Sequence, residues 1–355
     1  MKRNGYIDII KFLFAIIIAE FHLNSGLFPG GRLAVEGFFM ITGFLMLKSA
    51  EQKKDLEKNI GCSSLNFLKR KYEALFYTLF PSVVLSFIVI SVYRETLFVE
   101  AIKRIPLLIF EIIPLNSLGF NGEYVIGVSW YLSSMFVALA VLYPLSIKFK
   151  QIFTLIICPL IVCLGYGTLA HFYGNLAVNY QYLPNTIFNT GIIRGFAGCA
   201  LGCILYEVSR CLKKKNLTVF GRSIFTFLEI GLITYFLCII HYKPKSSYDF
   251  VLIFVLFTFL LIGICGLSYT SRFLNPKWTK FFGTSSTLVV LTHYCWTPFF
   301  KKEFGDGYQN TSKVFWYVAA VVVSCILVYI QSVLLKFILT RKHKLIIFSN
   351  CCSEE

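Results

Sequence analysis

Apolar runs of membrane length recur along this chain, and they restrict its fold more than any motif does. They lie at 7–23, 33–47, 72–93, 128–147, 152–172, 187–208, 224–241, 250–268, 281–300 and 314–339. Most approach the ~20 residues that a helix needs to cross a bilayer. Backbone in lipid must satisfy its own hydrogen bonds, so such runs become helices. The expectation is an all-α, polytopic membrane bundle of about ten transmembrane helices. Composition agrees, since 57% of the 355 residues are hydrophobic and 15% charged, too little polarity to cover a soluble globule. The first run sits where a secretory leader would, but it contains Glu20, lacks a small-x-small cleavage site and is followed by further runs. It reads as a retained first helix.

The net charge of +16 is gathered in short loops rather than along one basic stripe, which points to topology and anionic lipid instead of nucleic acid. Basic segments at Lys2/Arg3, Lys48 to Lys71, Lys148/Lys150, Arg210 to Arg222, Arg272 to Lys280 and Lys336 to Lys344 all fall on one side if ten runs cross. That side is the cytoplasm, with both termini inside. A shorter run, 105–119, carries Pro106, Pro114 and Glu111. Crossing there would export the later basic loops, so it is expected as a re-entrant or interfacial segment on the outer side. Arg94, Lys103, Arg104, Lys301 and Lys302 run against this orientation but are fewer. The bundle is expected to form one domain over 1–345, followed by a short cytoplasmic tail at 346–355. Twelve cysteines are scattered without CxxC or Cys/His metal spacing, so no metal is expected, and Cys351-Cys352 is at most a lipidation site.

In this topology five helices bring polar or amphipathic residues to the outer face. His22 closes the first run, Glu36 opens the second, Trp130 and Tyr131 open the fourth, Arg194 lies in the sixth and His293 in the ninth. Ionisable residues at such depths are costly unless paired, hydrated or functional. His22 beside Glu36 is expected as a base with its orienting carboxylate; the plainer alternative is an interfacial histidine and a solvated acid. Arg194 keeps its charge and needs an anionic partner, or it snorkels to headgroups. A lone histidine on an apolar helix, as His293 is, is more often a hydrogen-bonded core residue than a catalyst. Lys11 lies about 16 Å below His22 on the same helix. With Lys69, Arg70 and Lys71 it offers the inner side a cationic mouth for phosphates, although the positive-inside rule alone would also place those three there.

These residues resemble the acyltransferase-3 family of integral membrane acyltransferases, from about residue 5 to 340. The first helix of that family shows an Asp, three positions on an Arg, then ten residues and a His, matched here by Asp8, Lys11 and His22. Its second helix carries an acid followed by FF and SGF, matched by Glu36, Phe38-Phe39 and Thr42-Gly43-Phe44. Trp130-Tyr131-Leu132 with Tyr143-Pro144 is similar to its W-x-L segment, Arg194 with Gly198 and Gly202 to its Arg/Gly-rich helix, and His293 to its late L-x-H motif. There are departures. Lys11 replaces an Arg, Met135 stands where many members carry a Glu, and Glu73 and Ala74 interrupt the cytoplasmic Arg-x-x-Arg. The soluble hydrolase-like domain fused to some members is not expected here.

The resemblance implies an O-acyltransferase, in the first place an O-acetyltransferase, of the cell membrane. It would move an acyl group from cytoplasmic acetyl-CoA or another acyl-CoA, a co-substrate with no bound cofactor, to a hydroxyl of a cell-surface polysaccharide or lipid-linked sugar. In this reading His22, Glu36, Arg194 and His293 are catalytic, Lys11, Lys69, Arg70 and Lys71 bind the donor, and Trp130 and Tyr131 meet the acceptor. The alternative of another class is a transporter or flippase for a lipid-linked glycan, which would be expected to show internal repeats and matched broken helices; neither is found.

Overall fold

The computed structural model describes residues 3–52, 59–120, 123–178, 181–184, 186, 188–212, 217–243, 245–274, 276–304 and 311–351. Lys2, the basic stretch 53–58, Lys213 to Lys215 and Cys352, on which parts of the topology and lipidation arguments rested, lie outside them. The regular structure of the described residues is helical, apart from one isolated bridge between Tyr182 and Asn189. Nine of the ten apolar runs each correspond to one long helix, and the run 281–300 begins in a tenth and is broken after it. These are α1 (Gly5–Leu23), α2 (Ala34–Glu51), α3 (Ile60–Tyr93), α6 (Ser129–Ile152), α7 (Cys158–Tyr173), α8 (Thr190–Leu212), α9 (Val219–Tyr242), α10 (Tyr248–Cys265), α11 (Pro276–Thr292) and α13 (Thr311–Cys351).

By length and composition alone, seven helical stretches among the described residues are able to cross a bilayer. One of them, Ser129–Tyr173, contains both α6 and α7. Lys150 breaks it with φ 37 and ψ −104, and a π turn at Phe153–Ile157 follows. Of the others, α1 carries Asp8, Lys11 and Glu20, and α11 is only 17 residues long.

Segment 105–119 does not form a long helix. It follows α4 (Phe98–Arg104) and folds into a 3-10 turn at Ile105–Leu108, then α5 (Ile109–Ile112) and a second 3-10 turn at Asn116–Leu118. At 1.5 Å per residue none of these pieces reaches across a bilayer. Buried polar groups fasten the segment to the start of α6. Asn116 Nδ2 donates to Ser129 Oγ (2.6 Å) and Glu111 Oε1 (3.3 Å), and Ser117 Oγ donates to the Trp130 carbonyl (2.8 Å).

The run at 281–300 differs from its expected form as one span. The helix ends at Thr292, a 3-10 turn occupies Tyr294–Trp296, and α12 (Thr297–Phe304) begins with Pro298 in its first turn. Proline has no N–H for a preceding carbonyl and suits the first turn of a new helix. His293 therefore sits at the break between two helices rather than within one.

α2 is central: 78% of its membrane-length window is buried, against 17% for α9 and 22% for α13. The outer helices turn residues such as Phe227, Leu164 and Phe315 away from the core, as lipid-facing helices do. Small residues let α2 and α8 touch. A Cβ on Gly43 would overlap the Cys199 carbonyl, one on Gly202 would overlap the Met40 carbonyl, and one on Gly198 would stand 2.6 Å from Phe39 Cβ. Gly198 and Gly202 make a small-xxx-small seam of the kind that brings membrane helices to backbone contact.

Candidate active site

The connector between α1 and α2 is shaped by Glu20. Its carboxylate accepts from Ser25 Oγ and from the N–H groups of Leu27 (3.0 Å) and Phe28 (2.7 Å), while Asn24 ends α1 in the left-handed conformation at φ 59. These bonds satisfy an acid near the end of an apolar run, two residues before His22, which lines a narrow crevice. The crevice is lined by His22, Arg32, Phe38, Trp130 and Tyr131 with apolar neighbours from α1, α2 and α11.

Glu36, in the first turn of α2, is fully buried, as is Arg194 near the start of α8. Arg194 Nε donates to Glu36 Oε1 at 2.7 Å, and Tyr166 Oη of α7 donates to Oε2 at 2.6 Å. The guanidinium also donates to the Val178 carbonyl at 3.3 Å and lies 5.0 Å from the Trp130 ring. The expected pairing of Glu36 with His22 is thus replaced by one with Arg194 and Tyr166. A permanent cation fully buried beside the carboxylate outcompetes an imidazole at the rim.

His22 instead meets aromatic rings. Its ring centroid lies 5.3 Å from that of His293 and 5.2 Å from that of Tyr294, the latter edge to face. Gly127 takes φ +61 where a Cβ would run into the Tyr294 ring, so the 3-10 turn after His293 packs directly on the chain leading into α6. His293 is fully buried. Its Nδ1 lies 2.9 Å from the Val289 carbonyl; a carbonyl only accepts, so Nδ1 carries the proton and Nε2 the lone pair. That Nε2 is buried with no hydrogen-bond partner among the described residues. Tyr317 of α13 donates to the carbonyls of Ala19 (3.1 Å) and His293 (3.3 Å), closing the far side.

The structure therefore groups His22 with His293, and Trp130 and Tyr131 with Arg194 and Glu36, and His22, Trp130 and Tyr131 line the same crevice. Of the inner cations, Lys11 is half-buried on α1, and Lys71 Nζ sits 5.8 Å over the Phe67 ring. Lys69 is exposed and pairs loosely with Glu73 at 3.9 Å; Arg70 is also exposed. Met135, at the position where a Glu was noted as common, meets Thr42 Oγ1 through its sulfur at 3.9 Å.

Sequence reasoning did not single out Tyr166, Tyr294, Arg32 or Asp249. Asp249 opens an apolar run just as Glu36 does, and that signal could have found it. Arg32 stood in a loop where a charge usually faces water. The tyrosines carried no signal among twenty.

No curated protein and no solved structure matches this chain. The family comparison does find a match, to the acyltransferase-3 family, described as an acyltransferase domain, over residues 4–332. That match covers nearly the whole helical bundle, including every site residue named above, and the chain belongs to the acyltransferase-3 family of integral membrane acyltransferases.

Proposed function

We propose that this membrane acyltransferase is an O-acetyltransferase that draws acetyl groups from cytoplasmic acetyl-CoA and places them on a hydroxyl of a cell-surface polysaccharide or lipid-linked glycan. The observation that carries this reading is the crevice in which His22 stands among Trp130, Tyr131 and Phe38. An imidazole beside one guanidinium, on a wall that is apolar and aromatic elsewhere, suits a sugar, whose C–H faces stack on rings while a hydroxyl reaches the base. His22 takes the hydroxyl proton as the oxygen attacks the thioester carbonyl. The carbon–sulfur bond then breaks, and the thiolate leaves with the proton returned by the imidazolium.

Glu36 serves in this scheme as a positioning residue. It holds Arg194, whose guanidinium lies against Trp130, so the carboxylate acts on the aromatic wall rather than on the histidine. His293 packs against His22 and keeps its ring in place. Lys11 of α1 and, on α3, Lys71 with the exposed Lys69 and Arg70 suit the phosphates of CoA. In this orientation both termini are cytoplasmic and the crevice opens outward.

Proton NMR of purified surface polysaccharide tests the reading, comparing wild type, a deletion, and the deletion carrying His22→Ala protein at normal membrane levels. Loss of O-acetyl signals in the deletion and in His22→Ala is expected, since a general base contributes about 10²–10⁴-fold. O-acetylation that persists in the deletion would discard it.

A further inference from the structure

Arg32 lines the same crevice as His22 and is the charged side chain on its wall. It sits in the 3-10 turn Gly31–Leu33 that links α1 to α2, and this turn is fixed from three sides. The Gly30 N–H donates to the Ile240 carbonyl at the end of α9, at 2.7 Å. A Cβ on Gly30 would stand 2.8 Å from that oxygen, and one on Gly31 would stand 2.8 Å from the Ile17 carbonyl. Arg32, only 4% exposed, donates from Nη2 to Asp249 Oδ2 at 2.5 Å. Asp249 lies in the first turn of α10, and the same oxygen accepts the Leu176 N–H at 2.8 Å. A guanidinium is rigid and planar, so this bond to an anchored carboxylate restricts the directions the group can take.

Arg194 is placed differently. It is turned to Glu36 behind Trp130 and does not line the crevice. Arg32 and Arg194 each have their own buried carboxylate. The site thus contains two arginines, one among the residues that line the crevice with His22 and one behind Trp130.

Resting on the transferase reading above, we propose that Arg32 is the oxyanion-binding residue of the reaction. As the acceptor oxygen bonds to the thioester carbon and its proton passes to His22, the carbonyl π electrons move onto oxygen. The guanidinium, fixed by Asp249 before the reaction begins, donates to that oxygen. When the carbonyl re-forms, the carbon–sulfur bond breaks, the thiolate takes the proton from His22, and Arg32 is left unchanged. Preorganised donors of this type act most strongly where water is excluded.

The test uses the full-length protein purified in detergent, acetyl-CoA, and base-deacetylated host polysaccharide as acceptor. Arg32→Gln is expected to lower kcat by about 10²–10³-fold, the usual loss of one oxyanion donor, with KM for acetyl-CoA unchanged. The double variant Arg32→Gln/Asp249→Asn separates chemistry from stapling, because it leaves no lone buried charge. It is expected to stay as slow as Arg32→Gln, and wild-type kcat in the double variant would overturn the proposal. If neither variant reaches the membrane, Arg32→Lys carries the test. It keeps a charge beside Asp249 but not the fork, so kcat is expected to fall at constant KM, and an unaltered kcat overturns the proposal. Wild-type protein that transfers no acetyl group at all would instead sink the underlying transferase reading.

Discussion

Glu36 accepts from Arg194 and Tyr166 at once, without exposure to solvent, and the consequences of removing each partner differ. Glu36→Gln leaves the Arg194 charge buried beside an amide, a loss of about 3–5 kcal/mol for a pair of this kind. Tyr166→Phe removes one hydrogen bond to a carboxylate, about 1.5–3 kcal/mol. Thermal melts in detergent should rank the two in that order, and the reverse order would mean that Tyr166 carries the carboxylate alone. Tyr294 makes a different prediction. Its ring, not its hydroxyl, meets His22, so Tyr294→Phe should keep wild-type turnover. Tyr294→Ala should lose up to about 10²-fold in kcat, the scale of a misplaced catalytic group. At this scale the sequence was informative about residue identity and poor about pairing. An acid at the start of an apolar run and a histidine at the end of another could each be recognised, but which cation meets Glu36 depends on how α2 and α8 cross, and no local pattern specifies that.

The seam between α2 and α8 fixes that crossing. Gly43 and Gly202 each press on a carbonyl of the opposite helix, so a single methyl group must push the helices apart. Gly202→Ala is expected to cost about 1–3 kcal/mol as overpacking and to lower transfer more than stability, because the shift separates Glu36 from Arg194. Size-exclusion profiles alongside turnover check this, and normal turnover in a destabilised protein would contradict it. The Gly198/Gly202 spacing was visible beforehand, whereas its partner helix was not. The break after α11 shows the converse. Pro298 stood in plain view within the run 281–300, yet apolarity alone carried the expected span past it, and His293 was placed inside a helix rather than at a joint.

Across the whole molecule, periodic apolar length predicted the helices well, since lipid leaves the backbone few alternatives. Sidedness came from loop charge and is testable with the native thiols. Cys62 and Cys211 are exposed near the start of α3 and the end of α8. In the proposed orientation both should react with a membrane-impermeant maleimide in inverted vesicles and stay unlabelled in right-side-out cells; the opposite pattern would turn the protein over. The two buried pairs, Glu36 with Arg194 and Asp249 with Arg32, also bear on the electrical setting of the membrane. A lone charge moved through a membrane potential of 100 mV gains or loses about 2.3 kcal/mol. Here two cations and two anions are held against one another, so the field exerts almost no net force on these paired groups around the crevice. Acyl transfer in proteoliposomes should therefore run at the same rate with a potassium diffusion potential imposed or collapsed, leaving the enzyme indifferent to the energetic state of the cell.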